Sequence, residues 1–252
     1  MRLAARMFMA VVNPDPSILA GRWIMGALVT ALFTAVARWL RGVNNSGALA
    51  GAVCCFVLYL GAGAAAVSAL ITVFVLAWVT TRIGYRRKQS LGVAEKQEGR
   101  SASQVLANLG VAAICSAIYF FGSNNAALLL GISAALSEAA ADTVSSEVGQ
   151  AFGDKARLIT NWQTVPAGTN GAVSLRGTLA GIAAATIVSA VCATGGLIPL
   201  HFISICAGAA ILGMIVDSFL GAWLERRNLL NNDSVNFLST LVSAAASVWL
   251  TH

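Results

Sequence analysis

Long runs of apolar residues alternate with short polar connections along most of the chain. A helix that crosses a bilayer needs about 20 mostly apolar residues, so the longer runs predict transmembrane helices. The second and third runs are shorter and are joined by Gly61-Ala62-Gly63, which indicates either one helical hairpin or a partly re-entrant element. The predicted spans cover residues 18–40, 47–60, 64–80, 104–121, 126–146, 173–193, 199–224 and 235–250. The pattern predicts an all-α fold, a polytopic transmembrane helix bundle that forms one domain over residues 1–252.

The polar connections fall into two sets that differ in charge. Lys and Arg are concentrated in residues 41–46, 82–103, 147–172 and 225–234, whereas the alternate connections 61–63, 122–125 and 194–198 contain none. Basic connections stay on the cytoplasmic side of a membrane, so 82–103 and 147–172 are predicted to be cytoplasmic loops. The same alternation places His252 on the opposite side. Residues 1–16 have an amphipathic pattern that ends at prolines, which predicts a segment on the membrane surface.

Composition agrees with a protein that lies in lipid. Hydrophobic residues make up 58% of the chain and charged residues 10%, against about 25% charged residues in soluble domains. In a soluble protein, the net charge of +6 would suit binding to nucleic acid. Here the basic residues lie between apolar spans, so no nucleic-acid partner is expected. The five cysteines lie inside apolar runs without disulfide or metal-binding spacing. We therefore predict a multi-pass protein of the cell membrane.

Acidic residues inside the predicted spans are the strongest indication of chemistry, because an ionisable group within a bilayer is costly and usually functional. Glu138 and Asp142 lie four residues apart and share one face of the fifth span. Asp217 lies in the seventh span, and Glu147 and Glu225 lie at span ends. Like charges this close need a cation, a proton or a basic partner. Carboxylates on two helices beside a basic loop suit Mg²⁺ with phosphate; a protonated acid inside the bundle is the alternative.

Basic residues and glycine-rich loops near these acids predict contacts to phosphate. The two basic groups are Lys155, Arg157 and Arg176, and Lys88, Lys96 and Arg100. Either group could instead only set the membrane topology. Glycine lets backbone N–H groups approach an anion, and residues 149–155 and 166–174 are rich in glycine. The second loop leads into a helix N-terminus, a position that favours phosphate. The entry to the last span adds Asn232 and Asn236, although Asp233 or Ser234 there could act only as an N-cap.

Several motifs occur in the order found in known membrane enzymes. The run Asp142-Thr143 to Gly149, followed by Phe152-Gly153 and Lys155, resembles the signature of the CDP-diacylglycerol synthases and the CTP-dependent polyprenol kinases, and Asp217-Ser218 resembles their second acidic motif. A closer resemblance is to the membrane family that contains the plant phytyl-phosphate kinase. The motifs that carry it are Asn45-Ser46-Gly47-Ala48-Leu49-Ala50-Gly51, Gly99-Arg100 with Gln104-Val105-Leu106-Ala107-Asn108, Ala141-Asp142-Thr143 with Glu147-Val148-Gly149, Gly168-Thr169-Asn170-Gly171-Ala172-Val173-Ser174 and Asn231-Asn232-Asp233-Ser234-Val235-Asn236.

This resemblance, which covers about residues 44–240, implies CTP-dependent phosphorylation of an isoprenyl monophosphate, such as phytyl or geranylgeranyl phosphate, to the diphosphate. It implies that Asp142 and Asp217 hold Mg²⁺, with Glu147 as a ligand or neighbouring partner, and that Lys155 assists catalysis. The residues implied to contact nucleotide or phosphate are Lys96, Arg100, Asn108, Thr143, Ser146, Gly168, Thr169, Asn170, Gly171, Ser174, Arg176, Ser218, Asn232, Asp233 and Asn236.

One departure separates the chain from the cytidylyltransferases. Those enzymes carry Lys-Thr-x-Glu-Gly where this chain has Gln163-Thr164-Val165-Pro166-Ala167-Gly168, so the Lys and the Glu are missing. The kinase is therefore preferred over the first alternative, an enzyme that makes a CDP-lipid. The second alternative is a cation-coupled transporter that uses Glu138, Asp142 and Asp217 as an ion path. The expected partners are membrane lipid, isoprenyl phosphate and a nucleotide, with a homodimer as a further possibility from the glycine-rich spans.

Overall fold

A computed structural model describes residues 16–123, 125–152 and 155–251 of the chain. Its helices are α1 (Pro16–Trp39), α2 (Asn45–Arg82), α3 (Tyr85–Ser90), α4 (Ala102–Ile118), α5 (Ala126–Phe152), α6 (Leu175–Thr194), α7 (Ile203–Trp223) and α8 (Asn232–Trp249). A π-helical turn, Tyr119–Ser123, extends α4, and the 3₁₀ turns Leu200–Phe202 and Glu225–Arg227 flank α7. The predicted surface segment 1–16, except for its last residue, and His252 fall outside the described residues.

Six helical segments in the described part of the chain are long and apolar enough to cross a membrane. They are Ala20–Trp39, Asn45–Arg82, Ala102–Gly122, Ala126–Phe152, Leu175–Thr194 and Leu200–Arg227. The predicted all-α transmembrane bundle is confirmed. The six segments count α2 as one and do not include α8, whose first turn is polar. The predicted number of eight membrane crossings therefore stays a prediction.

Helix α2 reverses its direction at Gly63, which has φ 68° and ψ −161° inside the 38-residue element. A straight helix would separate Asn45 from Trp78 by about 50 Å. The Trp78 indole N–H nevertheless donates to the Leu40 carbonyl at 3.1 Å, just before α2 begins. The Arg82 guanidinium donates to the same carbonyl at 2.7 Å. Of the two alternatives predicted for this region, the structure therefore has the helical hairpin, with arms over residues 45–62 and 64–82.

Helix α5 forms the centre of the bundle. From Leu130 to Val144 nearly all its side chains are buried, and it packs against α2, α4, α6, α7 and α8. Its buried positions are mostly Ala and Ser, whereas the outer surfaces of the other helices present Leu, Ile, Val and Trp. Small residues let helices pack closely in lipid, where apolar side chains gain little by leaving the hydrocarbon. The bundle therefore has small side chains inside and large ones toward the lipid.

The basic residues gather at one end of the bundle, which we call the polar end. It comprises the α1–α2 connection and residues 83–101, 155–174 and 224–231, with the adjoining helix ends. Backbone contacts join these segments: the N–H of Asn44 donates to the Arg100 carbonyl at 3.0 Å. Among the Lys and Arg residues that the structure describes, Arg22 alone lies at the opposite end, where it donates to the Gly61 carbonyl at 3.4 Å.

A small antiparallel sheet covers part of the polar end. Its strands β1 (Ala156–Leu158), β2 (Thr164–Val165) and β3 (Ala172–Val173) pair in the order β2-β1-β3. Helix α5 continues to Phe152, so the first turn and a half of the region predicted as loop 147–172 is helical, and the sheet occupies much of the remainder. Within the predicted loop 82–103, residues 85–90 form α3 and Ala102 begins α4. These elements place the polar segments in fixed positions over the bundle.

We expect Gly63→Ala to destabilise the protein through backbone conformation alone. A Cβ at residue 63 meets nothing within 4 Å, but the φ and ψ of Gly63 fall in a region nearly exclusive to glycine, which costs other residues roughly 1–3 kcal/mol. Gly208→Ala is the matched control, since Gly208 is equally open but lies within α7, where alanine favours the helix. Thermal unfolding in detergent should give a lower Tm for Gly63→Ala only. Equal Tm values for the two variants would contradict the reversal at Gly63.

Candidate active site

Three carboxyl groups from two helices meet inside the bundle below the polar end. Glu138 and Asp142 on α5 and Asp217 on α7 are close enough to interact electrostatically. The carboxyl groups of Asp142 and Asp217 are within hydrogen-bonding reach of each other. Glu138 is 1% exposed, whereas both aspartates are half-buried. We call these three residues the acid cluster. Glu138 is its fully buried member, and the two aspartates are its partly accessible members.

Two glycines allow the neighbouring helices to approach the acid cluster. A Cβ at Gly213 would lie 2.6 Å from Cγ of Glu138 and 2.8 Å from the Ser239 carbonyl oxygen. A Cβ at Gly181 would lie 2.8 Å from the Ala141 carbonyl oxygen. These separations are too short for a real side chain, so any other residue would push α7 or α6 away from α5. The packing of α7 and α6 around the acid cluster therefore depends on glycine at these positions.

Helix α8 supplies polar partners to the acid cluster. With its amide oriented so that the NH₂ group faces oxygen atoms, Asn236 donates to Oδ2 of Asp217 and to the Asn232 carbonyl, at 3.2 Å each. The Ser239 hydroxyl interacts with the carboxyl groups of Glu138 and Asp217 and donates to the Asn236 carbonyl at 2.9 Å. Oε1 of Glu138 is buried and has no hydrogen-bond partner among the described residues. The cluster therefore retains an acceptor oxygen that the protein leaves unused.

Arg100 is the basic residue that faces the acid cluster. It lies two residues before α4, is half-buried, and interacts electrostatically with Asp142. Its backbone is fixed on both sides, since its N–H donates to the Gly42 carbonyl at 3.1 Å and its carbonyl accepts from Asn44. From the turn after α7, Glu225 also interacts electrostatically with Asp142. One guanidinium next to a group of carboxylates is an arrangement that can hold a cation and a phosphate side by side.

Glu147 lies outside the acid cluster. Five residues beyond Asp142, it points to another face of α5, and its Oε2 pairs with Nζ of Lys88 at 2.5 Å. Its Oε1 accepts from the Thr81 hydroxyl at 2.8 Å. Lys88 is completely buried and also donates to the carbonyls of Thr80 and Thr81 at 3.0 and 2.7 Å. Both Glu147 oxygens are thus engaged, and the ion pair with Lys88 anchors α3 to α5. The expected role of Glu147 as a Mg²⁺ ligand or neighbouring partner stays a prediction.

The predicted glycine-rich phosphate loop packs against other parts of the polar end. A Cβ at Gly168 would lie 2.7 Å from the Val93 side chain, and one at Gly171 would collide with the backbone of Ala222 on α7. Both glycines have positive φ, 88° and 73°, which glycine adopts without strain. Close packing and backbone conformation therefore account for these glycines, and a phosphate cradle in this loop stays a prediction.

The other residues expected to contact nucleotide or phosphate divide by environment. Exposed side chains at the polar end belong to Lys96, Ser146, Lys155, Asn170, Arg176 and Asn232. Side chains that hydrogen-bond within the protein belong to Asn108, Thr169, Ser174 and Ser218. Arg176, although exposed, also donates to the Phe152 carbonyl. Thr143 is buried and Asp233 half-buried. The N-cap of α8 is Asn231, whose Oδ1 accepts from the Ser234 N–H at 2.9 Å, so neither Asp233 nor Ser234 is the cap.

Sequence reasoning missed the hydroxyl groups that α8 turns toward α5. Ser239, Ser243 and Ser247 recur every four residues and are fully buried, and the Ser243 hydroxyl donates to the Ala134 carbonyl at 3.0 Å. Residues four apart share one face of a helix. The spacing was therefore a usable signal that one face of α8 contacts the centre of the bundle.

The chain is similar to several membrane proteins over most of its length. The family model described as "Integral membrane protein DUF92" matches residues 28–244. An uncharacterised membrane protein of Methanocaldococcus jannaschii is 31% identical over 229 residues, which cover 90% of this chain and 93% of that protein. An uncharacterised membrane protein of Synechocystis is 37% identical over 179 residues, or 69% of each chain. The chloroplastic protein VTE6 of Arabidopsis thaliana is 29% identical over 218 residues, 83% of this chain and 65% of VTE6. No solved structure matches the chain significantly.

We expect Lys88→Met to destabilise the protein by about 3–5 kcal/mol, the usual cost of removing one partner of a buried ion pair. Arg86→Met is the matched control, because Arg86 lies on the same short helix and is exposed. The double variant Lys88→Met/Glu147→Leu should recover much of the loss, since it leaves no unpaired charge. Thermal unfolding in detergent measures all three. A Tm for Lys88→Met equal to that of Arg86→Met would show that the pair does not anchor α3.

Proposed function

The chain belongs to the DUF92 family of integral membrane proteins, and we propose that it is a membrane phosphotransferase that transfers the γ-phosphoryl group of CTP to an isoprenyl monophosphate. The observation that carries the proposal is the meeting of Asp142 and Asp217, from two helices, beside the guanidinium of Arg100. The family match agrees with the resemblance that the ordered motifs carry. That resemblance is the reason for proposing CTP as the donor and an isoprenyl phosphate as the acceptor. The site contains groups suited to phosphate chemistry.

The acid cluster fits Mg²⁺ as the partner of the nucleotide. Asp142 and Asp217 would hold the ion, because their carboxyl groups already lie together and like charges at this distance need a cation or a proton. The described residues contain no preformed group of three or more His, Cys, Asp or Glu ligands for a metal. Magnesium is commonly bound by one or two carboxylates, with water and substrate phosphate completing its shell. When bound, it would neutralise charge on the transferring phosphoryl group.

The protein's own residues would position the two phosphates. A phosphate oxygen of the acceptor forms a bond to the γ-phosphorus, the bond from that phosphorus to the β–γ bridging oxygen breaks, and CDP leaves with that electron pair. The acceptor oxygen is already anionic near neutral pH, so the reaction needs orientation and charge neutralisation rather than a general base. Arg100 would bind the acceptor phosphate as a planar donor. Asn236 and Ser239 would hold the carboxyl group of Asp217 in place.

The polar end would face the cytoplasm, where nucleotides are present. Its basic residues would remain on that side by the positive-inside rule, and the half-buried aspartates lie in the halves of α5 and α7 that are nearer to this end. The acceptor's hydrocarbon part would stay among the helices while its phosphate reaches Arg100. The chain would thus bring a lipid and a soluble nucleotide together at one membrane surface.

We expect Asp142→Asn and Asp217→Asn each to lower turnover by roughly 100-fold or more, the scale of losing one electrostatic contact to the transition state. The assay combines purified protein in nanodiscs with Mg²⁺, γ-labelled CTP and geranylgeranyl monophosphate, and follows label into the lipid diphosphate. Glu98→Gln is the control, since Glu98 is an exposed acid of the polar end outside the helices that carry the acid cluster. Equal loss in all three variants, or none in the aspartate variants, would contradict the proposed site.

The products of the same assay distinguish the kinase from the cytidylyltransferase, the first alternative. A kinase yields CDP and a lipid diphosphate that carries the γ-label. A cytidylyltransferase yields pyrophosphate and a CDP-lipid, and the label then leaves with pyrophosphate. No nucleotide turnover by folded protein with phytyl, geranylgeranyl or shorter prenyl phosphates would overturn the proposal.

We expect Arg100→Gln to lower kcat/KM for the lipid acceptor by about 10- to 100-fold, since a hydrogen bond to a charged group contributes about 1.5–3 kcal/mol. The loss should appear mainly as a higher KM for the lipid, with a smaller effect on the KM for CTP. Arg226→Gln is the control, because Arg226 is an exposed arginine in the turn after α7. A selective loss for CTP would assign Arg100 to the nucleotide instead.

A further inference from the structure

A cavity of about 310 Å³ lies between α1, both arms of the α2 hairpin and α4. Its walls are mostly apolar, and Ala139 of α5, three residues before Asp142, also lines it. The apolar side chains that form its walls include Phe33, Ala37, Leu70, Val73, Phe74 and Leu109. The cavity therefore offers an apolar chain a path into the bundle next to the helix that carries the acid cluster.

Cationic side chains surround the opening of this cavity at the polar end. Arg41, Lys96 and Arg100 line it together with Arg82, which stacks on the Trp78 ring at 4.0 Å. The one carboxylate in the lining, Glu95, already accepts from Nε2 of Gln104 at 3.0 Å and from the Lys96 backbone N–H at 3.0 Å. The opening is therefore positive and suits an anionic head group.

The dimensions of the cavity suit one extended chain. Along the second arm of α2, Leu70 lies twelve residues before Arg82, which corresponds to about 18 Å along the helix axis. Half the hydrocarbon thickness of a bilayer is about 15 Å, so the cavity reaches from the polar end to roughly the middle of the membrane. Its volume is at the low end of small-molecule sites, which span about 300–1,000 Å³. A single narrow tail fits this space better than the two acyl chains of a diacyl lipid.

One glycine in the wall is open to the cavity rather than packed against protein. A Cβ at Gly51 would only touch the Val105 side chain, at 4.0 Å, whereas a Cβ at nearby Gly47 would collide with the Arg100 carbonyl. Glycine at residue 47 therefore allows α2 to pack closely against the segment before α4. Glycine at residue 51 has no such packing reason, and its effect is to leave the cavity wide at that level.

We propose that this cavity holds the hydrocarbon tail of the acceptor, with the phosphate at Arg100, and that Gly51 determines which tails enter. The assignment rests on the proposed function for the identity of the head group. Arg100 joins the two parts of the site, because it lines the cavity and interacts with Asp142. A tail in the cavity would therefore place its phosphate beside the acid cluster.

A photoreactive geranylgeranyl monophosphate with a diazirine at the end of its tail tests where the tail lies. Photolabelling of the wild-type protein, without nucleotide, should mark peptides of the second α2 arm around Leu70 and Phe74, and excess geranylgeranyl monophosphate should suppress this label. Label on the outer, lipid-facing surface of α7 or α1 instead would overturn the assignment. Because labelling needs no phosphoryl transfer, labelled cavity peptides without turnover would leave the tail site standing while the kinase proposal fails.

The role of Gly51 is tested with Gly51→Leu against Gly208→Leu, a matched change at an open glycine on the outer surface of α7. Because a leucine side chain at residue 51 would fill space that the tail needs, Gly51→Leu should lower kcat/KM for geranylgeranyl monophosphate by about tenfold or more and reduce the cavity label. For geranyl monophosphate, whose tail is shorter, Gly51→Leu should lower kcat/KM by less. Gly208→Leu should leave kcat/KM unchanged for both substrates. Equal effects of the two variants, or an equal loss for both tails, would show that Gly51 does not determine tail entry.

Discussion

The contact between Asp142 and Asp217 inside an apolar bundle is the constraint on which the rest of the site depends. Two carboxylates in lipid repel each other and lose hydration, so they persist only where other groups compensate. Arg100 supplies opposite charge, and Asn236 donates a hydrogen bond to Asp217. Glycine at residue 213 brings α7 close enough to α5 for the two acids to meet. A large side chain at that position would remove the contact without touching either acid.

The same constraint explains why the bundle has small residues inside and large residues outside. Close approach of α5 to its neighbours requires Ala, Ser and Gly at the contacts, and the outward-facing Leu, Ile and Trp side chains then meet lipid. The second arm of α2 does not follow this rule along its whole length. Near Leu70 and Phe74 it also lines a cavity, although the Phe74 ring still packs on Phe33 of α1 at 5.5 Å between centroids. A mostly apolar cavity in an otherwise close-packed interior is the feature on which the proposed tail site rests.

The sequence predicts the helices and the polar end well because both follow from local rules. Apolar runs of sufficient length must become helices in lipid, and the charge asymmetry of the connections is visible directly. The acids at residues 138, 142 and 217 were identifiable because ionisable residues within apolar runs are rare. The partners of Lys88 and Glu147 were not, since pairing between residues 59 positions apart depends on tertiary packing. For the same reason the packing of the glycines at 168 and 171 against Val93 and Ala222 was not visible in the sequence.

The groups gathered at the site are those that the proposed phosphoryl transfer needs. Carboxylates, a guanidinium, an amide and a hydroxyl hold and neutralise charge, and phosphoryl transfer to a phosphate that is already anionic requires little more. Such a reaction depends on placing two highly charged phosphates in line, which is difficult when one of them is attached to lipid. Because Arg100 lines the cavity opening and interacts electrostatically with Asp142, a tail bound in the cavity would fix its phosphate at the depth of Asp142. Binding energy from the apolar tail would then contribute to orientation at the reacting phosphate, so the membrane-embedded part of the fold would take part in catalysis as well as in anchoring the protein.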